Sequence, residues 1–442
     1  MLLNINIRYI SHYLRKTALP VLIWMLGALS IASAQEPADT ICVADTVEAP
    51  RPRPDIPEPA VVGIAVRELS SGIDIAERNI DTPLSPASIL KCVTAACAIA
   101  DGKATMRFET SAHIRGAVKD RQLWGDLVIM ASGDPTTDSA YFPANTGLAD
   151  SIAARIALLG IDSIRGQIVF DASLMPGGGP SPHWLPEDYK WSYGAGHYAL
   201  NYRDNTLPPD KAMPDPTGYF YDALEKSLSA RGIEVLDEDI DIHGTSREIY
   251  RRHSPAGREI MRSMMVRSDN MFAEAMLRSL APGDDVKNAI SREHALLARL
   301  GLSTREITLH DGSGLARDNR VTPRFMATLL QQMASSPYAG EYISLFPKAG
   351  EEGTVRRLLS STPLAGQLVL KSGSMRGVQC YAGYKLNDNG EPTHAVVVIV
   401  NKFNCPRSTV VKQAEEFLLE TFMPETLIPQ TDLIANDESS YR

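Results

Sequence analysis

Ser88-Ile89-Leu90-Lys91 stands at the head of an apolar run, and no other serine in the 442-residue chain is followed three positions later by lysine. Residues three apart share a helix face. The periodicity predicts a helix over about 88–100, with Ile89, Leu90, Val93, Ala96 and Ala100 as its buried stripe. Such a helix sets a hydroxyl beside an amine able to deprotonate it, one route to a nucleophilic serine. Alone, the tetrad reads rather as an ordinary helix start with a solvated lysine. The rest of the chain decides between these.

Upstream, Val61–Val66 reads as a strand, and Ile73–Glu77 pairs with it after a Ser70-Ser71-Gly72 turn. Residues 35–59 are rich in Pro, Glu, Asp and Ala and read as an extended leader. Residues 1–34 have the form of a cleavable export signal. Arg8, Arg15 and Lys16 are its basic region, Ala18 to Ile31 its apolar stretch, and Ala32-Ser33-Ala34 its cleavage site. No other segment is long and apolar enough to span a bilayer. Cys42 follows no lipid-attachment pattern. The formal net charge is −9, and −12 once residues 1–34 are set aside. A chain this acidic lacks the basic footprint that nucleic acid demands.

Downstream, residues 104–251 change character. Short strands such as Asp126–Ala131 and Gln167–Asp171 alternate with helices at Ala149–Leu159 and Gly218–Arg231, and 174–216 is Gly/Pro-rich. This predicts an inserted α/β domain. From Pro255 the pattern predicts helices over Arg258–Leu280, Val286–Leu300 and Pro323–Met333. Three strands follow, Gln367–Lys371, Val378–Leu386 and Thr393–Asn401, then a helix over Ser408–Phe422. The fold class is α+β: an antiparallel sheet flanked by helices, formed by 60–103 and 252–424, interrupted by the insert, with a tail over 425–442. Five cysteines leave room for one bridge without choosing the pair, and no Cys/His spacing resembles a zinc site. The expectation is therefore no metal and no cofactor.

Two further motifs complete the tetrad. Ser268-Asp269-Asn270 is read inside a helical run, and Lys371-Ser372-Gly373 at the end of a strand. Singly they are a polar helix face and a strand exit. Together, in this order, they provide what acyl transfer needs. Ser88 Oγ attacks a carbonyl, and Lys91 takes its proton, which requires a neutral amine. Burial and a second cation, Lys371, would depress the Lys91 pKa. Ser268 relays a proton to the leaving amine, and Asn270 orients the substrate amide. Lys371 keeps its charge and attracts a substrate carboxylate, an interaction of about 4 kcal/mol at 4 Å and an effective dielectric near 20. Ser372 supplies a hydroxyl and Gly373 allows close backbone approach. The amides of Ser88 and Ser374 receive the oxyanion.

On these motifs the chain resembles the D-alanyl-D-alanine carboxypeptidase/endopeptidase family, the class C low-molecular-mass penicillin-binding proteins. The resemblance also rests on Ser85-Pro86-Ala87-Ser88, Gly125-Asp126-Leu127, Ser132-Gly133-Asp134-Pro135 and His253-Ser254-Pro255. Asp311-Gly312-Ser313-Gly314-Leu315 with Arg317-Asp318-Asn319, and Ala349-Gly350 with Gly353-Thr354, add to it. It implies a penicillin-binding, β-lactamase-like transpeptidase domain and a periplasmic serine peptidase. Peptidoglycan stem peptides would be its substrates and β-lactam antibiotics its covalent inhibitors. Asp134 and Met375 are candidates to meet a diamino-acid side chain. The family's further small domain is missing or vestigial: after Tyr193-Gly194 and Asn201…Asn205 only a short Pro-rich link leads to the next helix. The alternatives are a cell-wall-binding protein with little turnover and a β-lactamase. Against the latter, the chain lacks the Glu-x-x-x-Asn segment of class A enzymes, so penicillin should acylate it and leave slowly.

Overall fold

A computed structural model of the chain describes residues 55–423. The export-signal, lipid-attachment and C-terminal tail expectations, and most of the leader, lie outside them. The strands run β1 Val61–Glu68, β2 Asp74–Arg78, β3 Glu109–Lys119, β4 Gln122–Ala131, β5 Ser163–Ile164, β6 Ile168–Asp171 and β7 Thr206–Leu207. They continue with β8 Lys211–Ala212, β9 Glu234–Val235, β10 Ser246–His253, β11 Leu368–Met375, β12 Val378–Leu386 and β13 Pro392–Asn401. The helices are α1 Lys91–Ala100, α2 Leu148–Leu158, α3 Pro216–Ser229, α4 Gly257–Arg267 and α5 Asn270–Arg278. After them come α6 Val286–Arg299, α7 Pro323–Ala334, α8 Ala339–Ile343 and α9 Arg407–Phe422.

The first sheet has the order β11-β12-β13-β1-β2 and is antiparallel throughout. Alternate residues of β1 and β13 feed two separate cores. Val62, Ile64, Val66, Val396, Val398 and Val400 pack with Val410, Ala414, Phe417 and Leu418 of α9. Ala65, Ala395, Val397 and Ile399 face the helical side with α1, α5 and α7. A sheet covered on both faces gives the unbroken apolar run of β13. Helix α1 is itself covered on all sides, with Cys92, Val93, Ala95, Ala96, Cys97 and Ala98 fully buried. That rigid seat fixes the residues at its start.

The second sheet, drawn from residues between Glu109 and His253, has the order β10-β3-β4-β5-β9, with β6 also pairing β4. Its β10-β3-β4 part is antiparallel and its β4-β5, β4-β6 and β5-β9 pairs are parallel. Helices α2 and α3 pack on it through Ile152, Ile156, Phe220, Leu224 and Leu228, in a core of its own.

Two expected elements are corrected. The single helix over Arg258–Leu280 is broken at Ser268, which takes a left-handed conformation with φ 62° and ψ 36°. Asp269 then caps α5 by accepting a hydrogen bond from the Phe272 amide. Ser, Asp and Asn compete with the helix through their own side chains, so this triplet is better suited to a junction than to a helix interior. The strand expected to end at Lys371 runs on to Met375, because the β12 ladder continues past the last apolar residue. All four described cysteines, Cys92, Cys97, Cys380 and Cys405, are unbridged. No helix among the described residues is long and apolar enough to cross a membrane.

Candidate active site

A cleft of about 900 Å³ opens along the β11 edge, with Ser88, Ser268, Asn270, Ser372, Ser374 and Met375 in its walls. Ser88 lies in a 3-10 turn, Ala87–Leu90, that runs straight into α1. Lys91, at the first position of α1, is fully buried. Its ammonium donates to Ser88 Oγ at 2.9 Å, Asn270 Oδ1 at 2.7 Å and the Ser313 carbonyl at 2.7 Å. Across the cleft Lys371, also fully buried, donates to Ser268 Oγ at 2.9 Å and to the Ser372 carbonyl at 2.6 Å. The site thus contains two hydroxyl–amine pairs of equal length.

The break at Ser268 explains how one triplet serves both pairs. The left-handed residue turns Ser268 toward Lys371, while Asn270, starting the next helix, reaches Lys91. The Asn270 amide nitrogen donates to the Tyr193 carbonyl at 2.8 Å, which ties the cleft to the insert.

Strand β11 is the sheet's outer edge. The Leu370 amide bonds outward to the Pro347 carbonyl at 2.9 Å. Ladder alternation then turns the amides of Ser372 and Ser374 to the same open edge, the direction an oxyanion donor needs. Gly373 faces the turn that carries Ser88: a Cβ there would lie 2.9 Å from the Ser88 nitrogen and 2.9 Å from the Pro86 carbonyl oxygen. The close approach that requires glycine is therefore made by the protein's own backbone. Ser372 Oγ donates to Thr354 Oγ1 at 2.7 Å.

The two lysines differ in electrostatic surroundings. Burial lowers the Lys91 pKa to about 8, against the opposing pull of Asp311, Asp269 and Glu274. Burial lowers Lys371 well below the ordinary lysine value, and the Lys91 charge adds to that. Burial therefore pushes both amines toward the neutral form. Two of the carboxylates near Lys91, Glu274 and Asp311, belong to one buried network. Glu274 accepts the Ser313 amide at 2.9 Å, and burial, helped by Asp311, pushes its pKa up to about 7. Asp311 accepts the amides of Gly314 and Ala316 and the indole of Trp184, at 2.9, 2.7 and 2.7 Å.

Asp134 is not brought to the cleft. It is buried and accepts from the Thr136 amide, the Thr136 hydroxyl and Asn145 Nδ2, at 2.8, 2.6 and 3.1 Å. A short turn closed on itself, with burial raising the carboxyl pKa, leaves nothing to offer a substrate. Sequence reasoning also missed Glu274, a lone acid in an apolar helix, whose signal was a charge on the buried stripe. It missed a row of cations at the cleft rim, Arg317, Arg357, Arg376, Arg407 and Lys412, which are scattered along the chain and meet only in the fold.

A sequence profile of the D-Ala-D-Ala carboxypeptidase 3 (S13) family matches residues 46–211 and 199–418. The chain is similar to a D-alanyl-D-alanine carboxypeptidase of Actinomadura sp. (strain R39), 25% identical over 428 residues, covering 77% of this chain and 78% of that protein. Among solved structures it is similar to penicillin binding protein 4 (dacB) from Haemophilus influenzae. There the TM-score is 0.73 at 21% identity, covering 83% of this chain and 97% of that one. It is also similar to a penicillin G-acylated predatory endopeptidase from Bdellovibrio bacteriovorus in complex with an immunity protein. In that case the TM-score is 0.53 at 18% identity, over 82% of this chain and 92% of that one.

Proposed function

Since the chain belongs to the D-Ala-D-Ala carboxypeptidase 3 (S13) family, we propose that Ser88, Lys91, Ser268 and Lys371 carry its serine peptidase chemistry on peptidoglycan peptides. Ser88 Oγ attacks the carbonyl of a penultimate D-alanine as Lys91 takes the hydroxyl proton. The oxyanion is received by the amides of Ser88 and Ser374. The C–N bond breaks as Ser268 passes a proton to the leaving amine, and the acyl group stays on Ser88. A water then attacks the ester along the same proton route and releases Ser88. Asn270, Ser372 and Gly373 shape the cleft, and Met375 lines its end. A carboxylate beside the leaving nitrogen pairs with Lys371. This serves a terminal D-alanine and a cross-linked diamino-acid centre alike, so both carboxypeptidase and endopeptidase chemistry fit. Penicillin acylates the same serine. We further read 104–251 as an inserted domain, 60–103 with 252–424 as the peptidase body, and residues 1–34 as the signal that delivers the enzyme to the periplasm.

The observation that supports this most directly is the pair of 2.9 Å contacts, Lys91 Nζ to Ser88 Oγ and Lys371 Nζ to Ser268 Oγ. Labelled penicillin should form a stable adduct with the protein and none with Ser88→Ala. Labelling that survives the substitution, or rapid hydrolysis of a chromogenic cephalosporin by the wild type, would overturn the reading. Digested sacculi should release D-alanine, split dimers or both; a sacculus left intact by a protein that still labels would mark a binder.

A further inference from the structure

Outside the cleft, three potential metal ligands converge from distant parts of the chain. His183, His310 and Asp318 each have a ligand atom within 4.8 Å of the others. His183 Nδ1 lies 3.5 Å, and His310 Nε2 3.2 Å, from the same Asp318 Oδ2. A tetrahedral ion with bonds of about 2.0–2.1 Å needs ligand atoms about 3.3 Å apart, so two of the three edges already have the required length. The third edge joins the two imidazoles, whose ligand nitrogens lie within 4.8 Å and whose rings stack with centroids 4.1 Å apart at 22°. The His183 side chain, 44% exposed, has room to adjust to an ion.

The backbones that carry these ligands are fixed. Each ligand adjoins in sequence a residue buried in one network centred on Asp311. Trp184 follows His183, Asp311 follows His310 and Asn319 follows Asp318. Trp184 Nε1 and Asn319 Nδ2 both donate to Asp311, at 2.7 and 2.8 Å, while Asn319 Oδ1 accepts the His310 amide at 2.8 Å. The Thr308 and Arg320 backbones close the same loop with two hydrogen bonds. Without a cation, the arrangement makes poor use of its groups. One carboxylate oxygen faces two stacked imidazoles, and the 3.5 Å separation exceeds hydrogen-bond length.

The geometry points to a divalent transition-metal site formed by His183, His310 and Asp318, of the two-imidazole, one-carboxylate type that takes Zn²⁺ or Co²⁺. The solvent-facing side leaves a fourth position for water. Linear spacing concealed it, because His183 lies far upstream of the other two ligands, which flank Asp311 on its loop. A bound ion would clasp these two segments together. One of them, the 310–318 loop, also carries Ser313, whose carbonyl holds Lys91.

The test is metal binding by the purified, chelator-stripped protein. Zn²⁺ competition with a chromophoric chelator should give one equivalent bound with micromolar or tighter affinity. Co²⁺ should give d–d absorption of a four- or five-coordinate site. His310→Ala and Asp318→Asn should each weaken binding at least about a hundredfold, while both variants still take up labelled penicillin, which shows that they are folded. No binding by the wild type would overturn the proposal, as would binding that survives both substitutions, since that would belong to other surface groups such as the exposed pair His243 and Asp241.

Discussion

Two hydroxyl–amine pairs face one another across the cleft with the same 2.9 Å contact, yet they lie in opposite fields. Lys91 has Asp311, Asp269 and Glu274 around it, and these hold its pKa near 8 despite complete burial. Around Lys371, burial lowers the pKa well below the ordinary lysine value, and the Lys91 charge lowers it further. The difference shows that distance alone does not define a general base. Lys91 is poised near a working pH by its own protein, whereas Lys371 awaits an anion. A substrate carboxylate beside Lys371 would stabilise its charged form, and that charge would in turn favour a neutral Lys91. A bound carboxylate thus favours a charged Lys371 beside a neutral Lys91.

Removing either amine should break the symmetry most severely. Lys91→Met is expected to lower the penicillin acylation rate by about 10²–10⁴-fold, the usual contribution of a general base. Stopped-flow adduct formation reads this, and an unchanged rate would return the base role to Lys371. Lys371→Ala should cost up to about a thousandfold in kcat/KM on a peptide with a free C-terminal carboxylate, from an interaction of about 4 kcal/mol. The amidated peptide should lose far less, and equal losses would sink the electrostatic role.

Subtler changes sharpen the contrast between the two fields. A Lys91 base predicts acylation that rises with pH through about 8, because the neutral amine accumulates above its pKa. Glu274→Gln removes one of the charges that favour the protonated amine, so the rising limb should move to lower pH. A limb that stays in place would show that Glu274 does not act on Lys91. Glu293 serves as a control. It is buried behind α1 without a hydrogen-bond partner for either carboxylate oxygen, and burial raises its pKa to about 8. A carboxyl raised in the folded state favours folding at low pH. That contribution is lost as pH rises from the unfolded value near 4.5 to about 8, at a slope of at most about 1.4 kcal/mol per pH unit. Melting curves of Glu293→Gln should show a flatter pH dependence over that window, with the acylation limb unmoved.

Much of this site was readable because its motifs are local. A serine and a lysine three apart, or a lysine-serine-glycine run, keep their relation in any fold that makes the local element. What escaped reading depended on long-range packing. Ser268 looked helical because Met264, Met265, Met271 and Phe272 around it supply a continuous apolar pattern, and only the caps reveal the break. β11 looked shorter than it is because its last residues are polar, and a strand at a cleft is held by its ladder rather than by burial. Asp134 was misjudged because its turn closes inward. The carboxylates that oppose burial at Lys91 could not be read, since Asp311 and Glu274 arrive from elsewhere in the chain.

The sheet order has a consequence in time. The N-terminal strand β1 finds its neighbours in β13 and β2, while β11, which offers the open edge, joins through β12. Ser88, the proposed nucleophile, therefore meets the β11 edge only after a partner nearly 300 residues later has been delivered and docked. Such distant pairing folds slowly. A partly made or partly threaded chain would carry the serine and its lysine in silence, and reactivity would switch on only with the closing of the sheet.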